Sequence, residues 1–154
     1  MTALEELRQE AADSGAEVID WNFKTERIKG LYCDGMIALN RSIETSAEQT
    51  SVLAEELGHH LTAVGDILDL SDARSRKQEL RGRIWAYNRL IGLSGILRAY
   101  NAGCRNRYEM AELLGVTEEM LQEALAYYRA RYGLYYRLDN YVIYFEPLGV
   151  MEMV

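Results

Sequence analysis

Residues 51–61 read SVLAEELGHHL, and they hold both histidines of the 154-residue chain, side by side and just downstream of two adjacent glutamates. In a helix Glu55 and His59 sit four apart on one face, while Glu56 and His60 sit four apart on a face about 100° further round. Such spacing is how a helix offers two ligands to one metal.

The zinc-peptidase signature H-E-x-x-H uses two histidines to hold the ion and the glutamate between them to activate water. Here the five positions are Glu55-Glu56-Leu57-Gly58-His59, with glutamate in place of the first histidine. Glu and His at this spacing also form ordinary solvated pairs on helices. A metal site and a surface pair are therefore both open from these residues alone.

Working outward, Thr45-x-x-Glu48 is a capping box that starts a helix running from about Ser46 to Ala63. Leu53, Leu57, Leu61 and Val64 fall on one arc of it, with Glu55 and His59 opposite. Upstream, a helix from Ala3 to Ala12 stops at Asp13-Ser14-Gly15, and Glu17–Trp21 has strand character. Ile28–Cys33 and Met36–Asn40 follow, joined by Asp34-Gly35, a strong hairpin signal. A small antiparallel sheet is expected ahead of the central helix.

Downstream, Ser71-Asp72 can cap a helix from Ala73 to about Ile91, with Leu80, Ile84, Tyr87 and Ile91 as its buried stripe and Glu79 off that stripe. A shorter helix, Ser94 to Asn101, ends near Gly103. Tyr108–Leu114, a turn at Gly115-Val116-Thr117, and Glu118–Tyr132 form a helix-turn-helix pattern stopped at Gly133. The stretch YYRLDNYVIYFEPLG reads as a hairpin turning near Asp139-Asn140 and ended by Pro147.

Half the residues are apolar and proline occurs once, so the chain folds, and its length suits one domain. A formal charge of −7 and a pI near 4.9 oppose a phosphate backbone or an anionic membrane as main partner. Cys33 and Cys104 are far apart, which suggests neither a disulfide framework nor a thiolate site. With no signal-like start and no long apolar run, a cytoplasmic location is expected. The helix-turn-helix pattern would present Glu118, Glu119, Gln122 and Glu123 where a DNA reader needs basic side chains, so a structural or protein-docking role is expected and direct nucleic-acid binding is not.

With these pieces in order, the chain resembles the ImmA/IrrE family of zinc-dependent endopeptidases, in particular its short forms found beside phage-type repressors. GLYCDGMIALN, LAEELGHHLTAVGDIL and QELRGRIWAYNRLI carry the resemblance, with RYEMAELLGVTEEML and DNYVIYFEPLG in support. It implies a mainly helical α+β fold: one domain over residues 1–154, with a zincin-like core (1–103), then the helix-turn-helix-like segment and the C-terminal hairpin (104–154). The family's first metal ligand falls on Glu55, its general base on Glu56 and its second ligand on His59. Its third ligand, seven residues before the alanine of an aromatic-Ala pair, falls on Glu79, ahead of Trp85-Ala86. The implied cofactor is zinc. The implied partner is a helix-turn-helix repressor from the same mobile element, cleaved or otherwise inactivated.

Glu55 departs from the family pattern. A Glu-His-Glu set puts more negative charge on the ion than two imidazoles and one carboxylate, which weakens its pull on water and makes manganese or iron better occupants than otherwise. The alternative to a protease is thus an antirepressor that binds without cutting. For His60 the non-catalytic options are favoured, Asp66 is left outside the ligand set, and the Met36–Asn40 strand is the candidate edge for an extended substrate. Metal-free protein re-equilibrated with one equivalent of zinc should retain less metal, by elemental analysis, than an enzyme with a His-His-Glu set.

Overall fold

The computed structural model describes the backbone of residues 1–62 and 72–154 and the side chains of residues 1–62 and 76–154. The described chain is mainly helical α+β and divides into two compact units, Met1–Ala86 and Tyr87–Val154. Among the described residues no helix is long and apolar enough to cross a membrane.

The first unit opens with α1 (Ala3–Asp13), whose free amides are capped by the Thr2 side chain accepting from the Glu5 amide and whose Leu7 and Ala11 are buried. Three strands follow: β1 (Glu17–Trp21), β2 (Gly30–Cys33) and β3 (Met36–Asn40). The β2–β3 hairpin is antiparallel, and both turn residues, Asp34 (φ 47°) and Gly35 (φ 81°), take the left-handed conformation its tight turn needs. β1 differs from the expected antiparallel sheet: it pairs parallel with β3, Glu17 opposite Met36 and Trp21 opposite Asn40. The sheet order is β1-β3-β2, because residues 22–29 carry the chain past β3 to the opposite edge before the hairpin turns it back.

Asn40, 5% exposed, secures that detour. Its amide donates to the Thr25 and Ile28 carbonyls at 3.1 and 2.8 Å, and its side-chain oxygen accepts from the Ser42 amide at 3.0 Å. One buried polar side chain is thereby satisfied by backbone on both sides of the sheet's end.

α2 (Ser46–Thr62) begins where the capping box placed it, with the Glu48 amide donating to Thr45 Oγ1 at 3.1 Å. It packs on β2, β3 and α1, and Leu53, Ala54 and Leu57 are fully buried with Ile37 and Leu39 of the sheet. The apolar arc ends at Leu57. Leu61, expected on it, is 42% exposed, and Ala63 and Val64 lie outside the described residues. α3 (Asp72–Leu90) likewise departs from its expected stripe, since Leu80 is 52% exposed while Tyr87 is buried and Ile84 only half-buried. In α3 Glu79 and Gly82 meet His59 of α2, and Leu80 between them is left exposed. The expected cap at Ser71 lies outside the described residues, and Asp72 is already helical.

In the second unit α4 (Gly92–Asn101), α5 (Arg107–Leu114) and α6 (Glu118–Tyr132) are followed by β4 (Tyr135–Leu138), β5 (Tyr141–Phe145) and β6 (Leu148–Glu152). α5 and α6 form the expected helix-turn-helix pattern. Asn106 caps α5, Gly115 (φ 73°) ends it, and Thr117 caps α6 through the Met120 amide. Met110, Leu114, Val116, Leu121 and Ala124 are buried around the turn. Tyr128, 1% exposed, donates to Asn88 Oδ1 at 3.0 Å and accepts from the Gly92 amide at 3.1 Å. The C-terminal hairpin proves to be a three-stranded antiparallel meander, β4-β5-β6. Pro147, expected to end it, sits in the turn between β5 and β6.

Leu57→Ala should lower stability by about 2–5 kcal/mol, as for other fully buried leucines, while Leu61→Ala should stay within about 0.5 kcal/mol of wild type. Urea unfolding of the two variants side by side checks which leucine belongs to the core.

Candidate metal centre

α2 packs on β2 and β3, and β2 is made to receive it. β2 carries glycine at position 30, where a Cβ would stand 2.6 Å from Val52 Cγ1 and 3.1 Å from Glu56 Cγ. Without a side chain there, Glu56 settles against β2 and becomes largely buried. Burial, followed by the nearby carboxylates of Glu79 and Glu55, pushes the Glu56 carboxyl up to about 7. Among the described residues no arginine pairs with it.

One turn along, His59 meets α3. Its Nε2 lies 3.1 Å from Glu79 Oε2, and the other oxygen of Glu79 lies 3.5 Å from Arg83 Nε. The imidazole is 16% exposed and the Glu79 carboxylate 50%, so the pair spans the boundary between interior and solvent. The helices approach at Gly58 and Gly82, each without a side chain to hold them apart.

Two donors at about 2.0–2.1 Å from one tetrahedral ion stand roughly 3.3 Å apart. The His59–Glu79 separation of 3.1 Å is that of a direct hydrogen bond or ion pair, and it is also close to the spacing of two donors on one ion. Glu55, expected as the first ligand, is half-buried on α2 and close enough to act on the charge of Glu56. Among the described residues no group of three His, Cys, Asp or Glu side chains is disposed to hold a metal. Asp66 lies outside the described residues.

His60, the neighbour of the ligand candidate, is a fastener. Its Nε2–H donates to the Ser14 carbonyl at 3.1 Å, and its Nδ1 accepts from the Tyr32 hydroxyl at 2.9 Å. That hydroxyl in turn accepts from the Gly35 amide at 3.2 Å, and the two rings meet edge to face. Position 60 thus ties α2 both to the turn after α1 and to the hairpin. Neither Tyr32 nor the two helix glycines was singled out in the sequence. A tyrosine two residues ahead of an Asp-Gly turn and glycines inside two helical patterns were the available signals.

The edge strand is corrected as well. β3, the expected edge, is the central strand, paired on both sides, and β2 is the outer strand beside α2. Its alternation sends Gly30 and Tyr32 toward α2 and leaves Leu31, 52% exposed, on the other face.

The sequence is matched by the family model described as IrrE N-terminal-like domain over residues 11–126, a span that holds Glu55, Glu56, His59 and Glu79. No curated protein shows significant similarity to it.

The raised Glu56 pKa fixes the sign of a pH effect in metal-free protein. The unfolded chain releases this proton near 4.5 and the folded one near 7, so the favourable term is complete below about 4.5 and is lost as the pH rises to about 7. Glu56→Gln removes that loss. The stability of the variant relative to wild type should therefore climb between pH 4.5 and 7 and level off above. Urea titrations across that range measure the climb, and a flat difference would contradict the burial of this carboxyl.

Proposed function

Because the chain belongs to the ImmA/IrrE family of metallopeptidases, its family match covering residues 11–126, we propose that it is a metal-dependent endopeptidase acting as an antirepressor. The observation that carries this reading is the meeting of His59 Nε2 and Glu79 Oε2 at 3.1 Å, one helical turn from the half-buried Glu56. His59 and Glu79 would hold a divalent ion, zinc in the first place and manganese as the alternative, with Glu55 or water supplying further oxygen. Such an ion, when bound, polarises a carbonyl and lowers the pKa of water.

Glu56 takes the proton from the attacking water and passes it to the leaving amine. A carboxyl poised near 7 suits both steps, since it accepts and releases a proton at little cost around neutral pH. Among the described residues β2 pairs with β3 alone, so its outer edge would offer backbone groups to an extended peptide. The substrate we propose is a helix-turn-helix repressor encoded by the same mobile element, met in the cytoplasm. The acidic start of α6, with Glu118, Glu119 and Glu123, argues for contact with protein over contact with DNA.

A second reading is favoured by one feature. Among the described residues the donor set stops short of three, and Arg83 shares Glu79 with His59. On that reading the protein inactivates the repressor by binding alone.

Co-expression of the neighbouring repressor with wild type and with Glu56→Gln separates the two. Repressor fragments with wild type and intact repressor with the variant are the expected result. A repressor that is inactivated but intact in both cultures would establish the binder.

A further inference from the structure

α2 and α3 touch through their backbones. A Cβ on Gly58 would overlap the Gly82 carbonyl oxygen and stand 3.0 Å from Gly82 Cα and C. A Cβ on Gly82 would overlap the His59 ring, 2.6 Å from Cε1 and 3.1 Å from Cγ, with Nδ1 nearer still. Glycine is a poor residue for a helix interior, and each helix places one at this crossing.

We infer that Gly82 is a positioning residue of the candidate metal centre: the bare backbone at this position is the seat on which the His59 imidazole lies, so that its Nε2 faces Glu79. Glu79 is three residues before Gly82 and Arg83 is one after it, so one stretch of α3 seats the imidazole, supplies the carboxylate and holds that carboxylate's second oxygen. The ring has no room to yield in place, because it is mostly enclosed and already against α3. A methyl group at position 82 must either turn the imidazole away or separate the helices, and both lengthen the His59–Glu79 approach. The inference deepens the proposed function and rests on its assignment of His59 and Glu79 as the ligand pair.

Two measurements on the full chain test it. In metal-free protein labelled with ¹³C and ¹⁵N, nuclear Overhauser contacts are expected between the His59 ring protons and the Gly82 Hα protons. Their absence in wild type overturns the inference without any variant being made. Gly82→Ala should then bind zinc at least about tenfold more weakly by calorimetry, a loss of ~1.4 kcal/mol. Equal zinc affinity in wild type and Gly82→Ala overturns the positioning role and leaves the proposed function standing. Wild type that shows the ring contacts and takes up no zinc refutes the ligand pair of the proposed function, and loss of those contacts in Gly82→Ala still upholds the seat.

Discussion

The angle at which α2 is turned about its own axis governs the rest of the first unit. α2 packs on the sheet with Leu53, Ala54 and Leu57 fully buried, and His60 is pinned from two directions by Ser14 and Tyr32. A rotation that moved His60 would give up two hydrogen bonds at a half-buried position, which is costly where water cannot replace them fully. With both sides fixed, Glu56 has to lie on β2 and His59 has to face α3. The placement of the chemistry follows from contacts made by residues that take no part in it.

Electrostatics then sharpen what packing sets up. Glu79 meets the His59 imidazole, and the carboxylates of Glu79 and Glu55 lie close enough to Glu56 to disfavour its charge, a local surplus of negative charge. Arg83 offsets part of it at Glu79, and the proton held by Glu56 offsets another part. Burial first, and the two neighbouring carboxylates after it, raise the affinity of Glu56 for a proton.

Local signals in the sequence were read well wherever one residue type has one physical job. Thr45 caps its helix, Gly115 to Thr117 turn the chain between two helices, and Asp34-Gly35 turns the hairpin. Glu56 and His59 were legible from helical spacing, whereas Glu79 was reached through the family resemblance, since nothing in α3's periodicity marks it. What failed was information carried by the third dimension. Periodicity assigned Leu61 and Leu80 to the core because it cannot tell which apolar residues outlast the neighbouring element. The parallel pairing of β1 depends on the route of residues 22–29, and Pro147 looked like a terminus when it was a turn. Gly58 and Gly82 read as weak points in two helices, and only their contact reveals a crossing.

Glu79 bridges an imidazole that is mostly enclosed and a guanidinium that is 47% exposed. The bridge gives dissolved ions a handle on the interior. Counterions that screen Arg83 weaken its hold on the shared carboxylate, while the sheltered Glu56 feels them far less. Ionic strength therefore acts on this region unevenly, loosening its outer wall before it reaches the sheltered carboxyl.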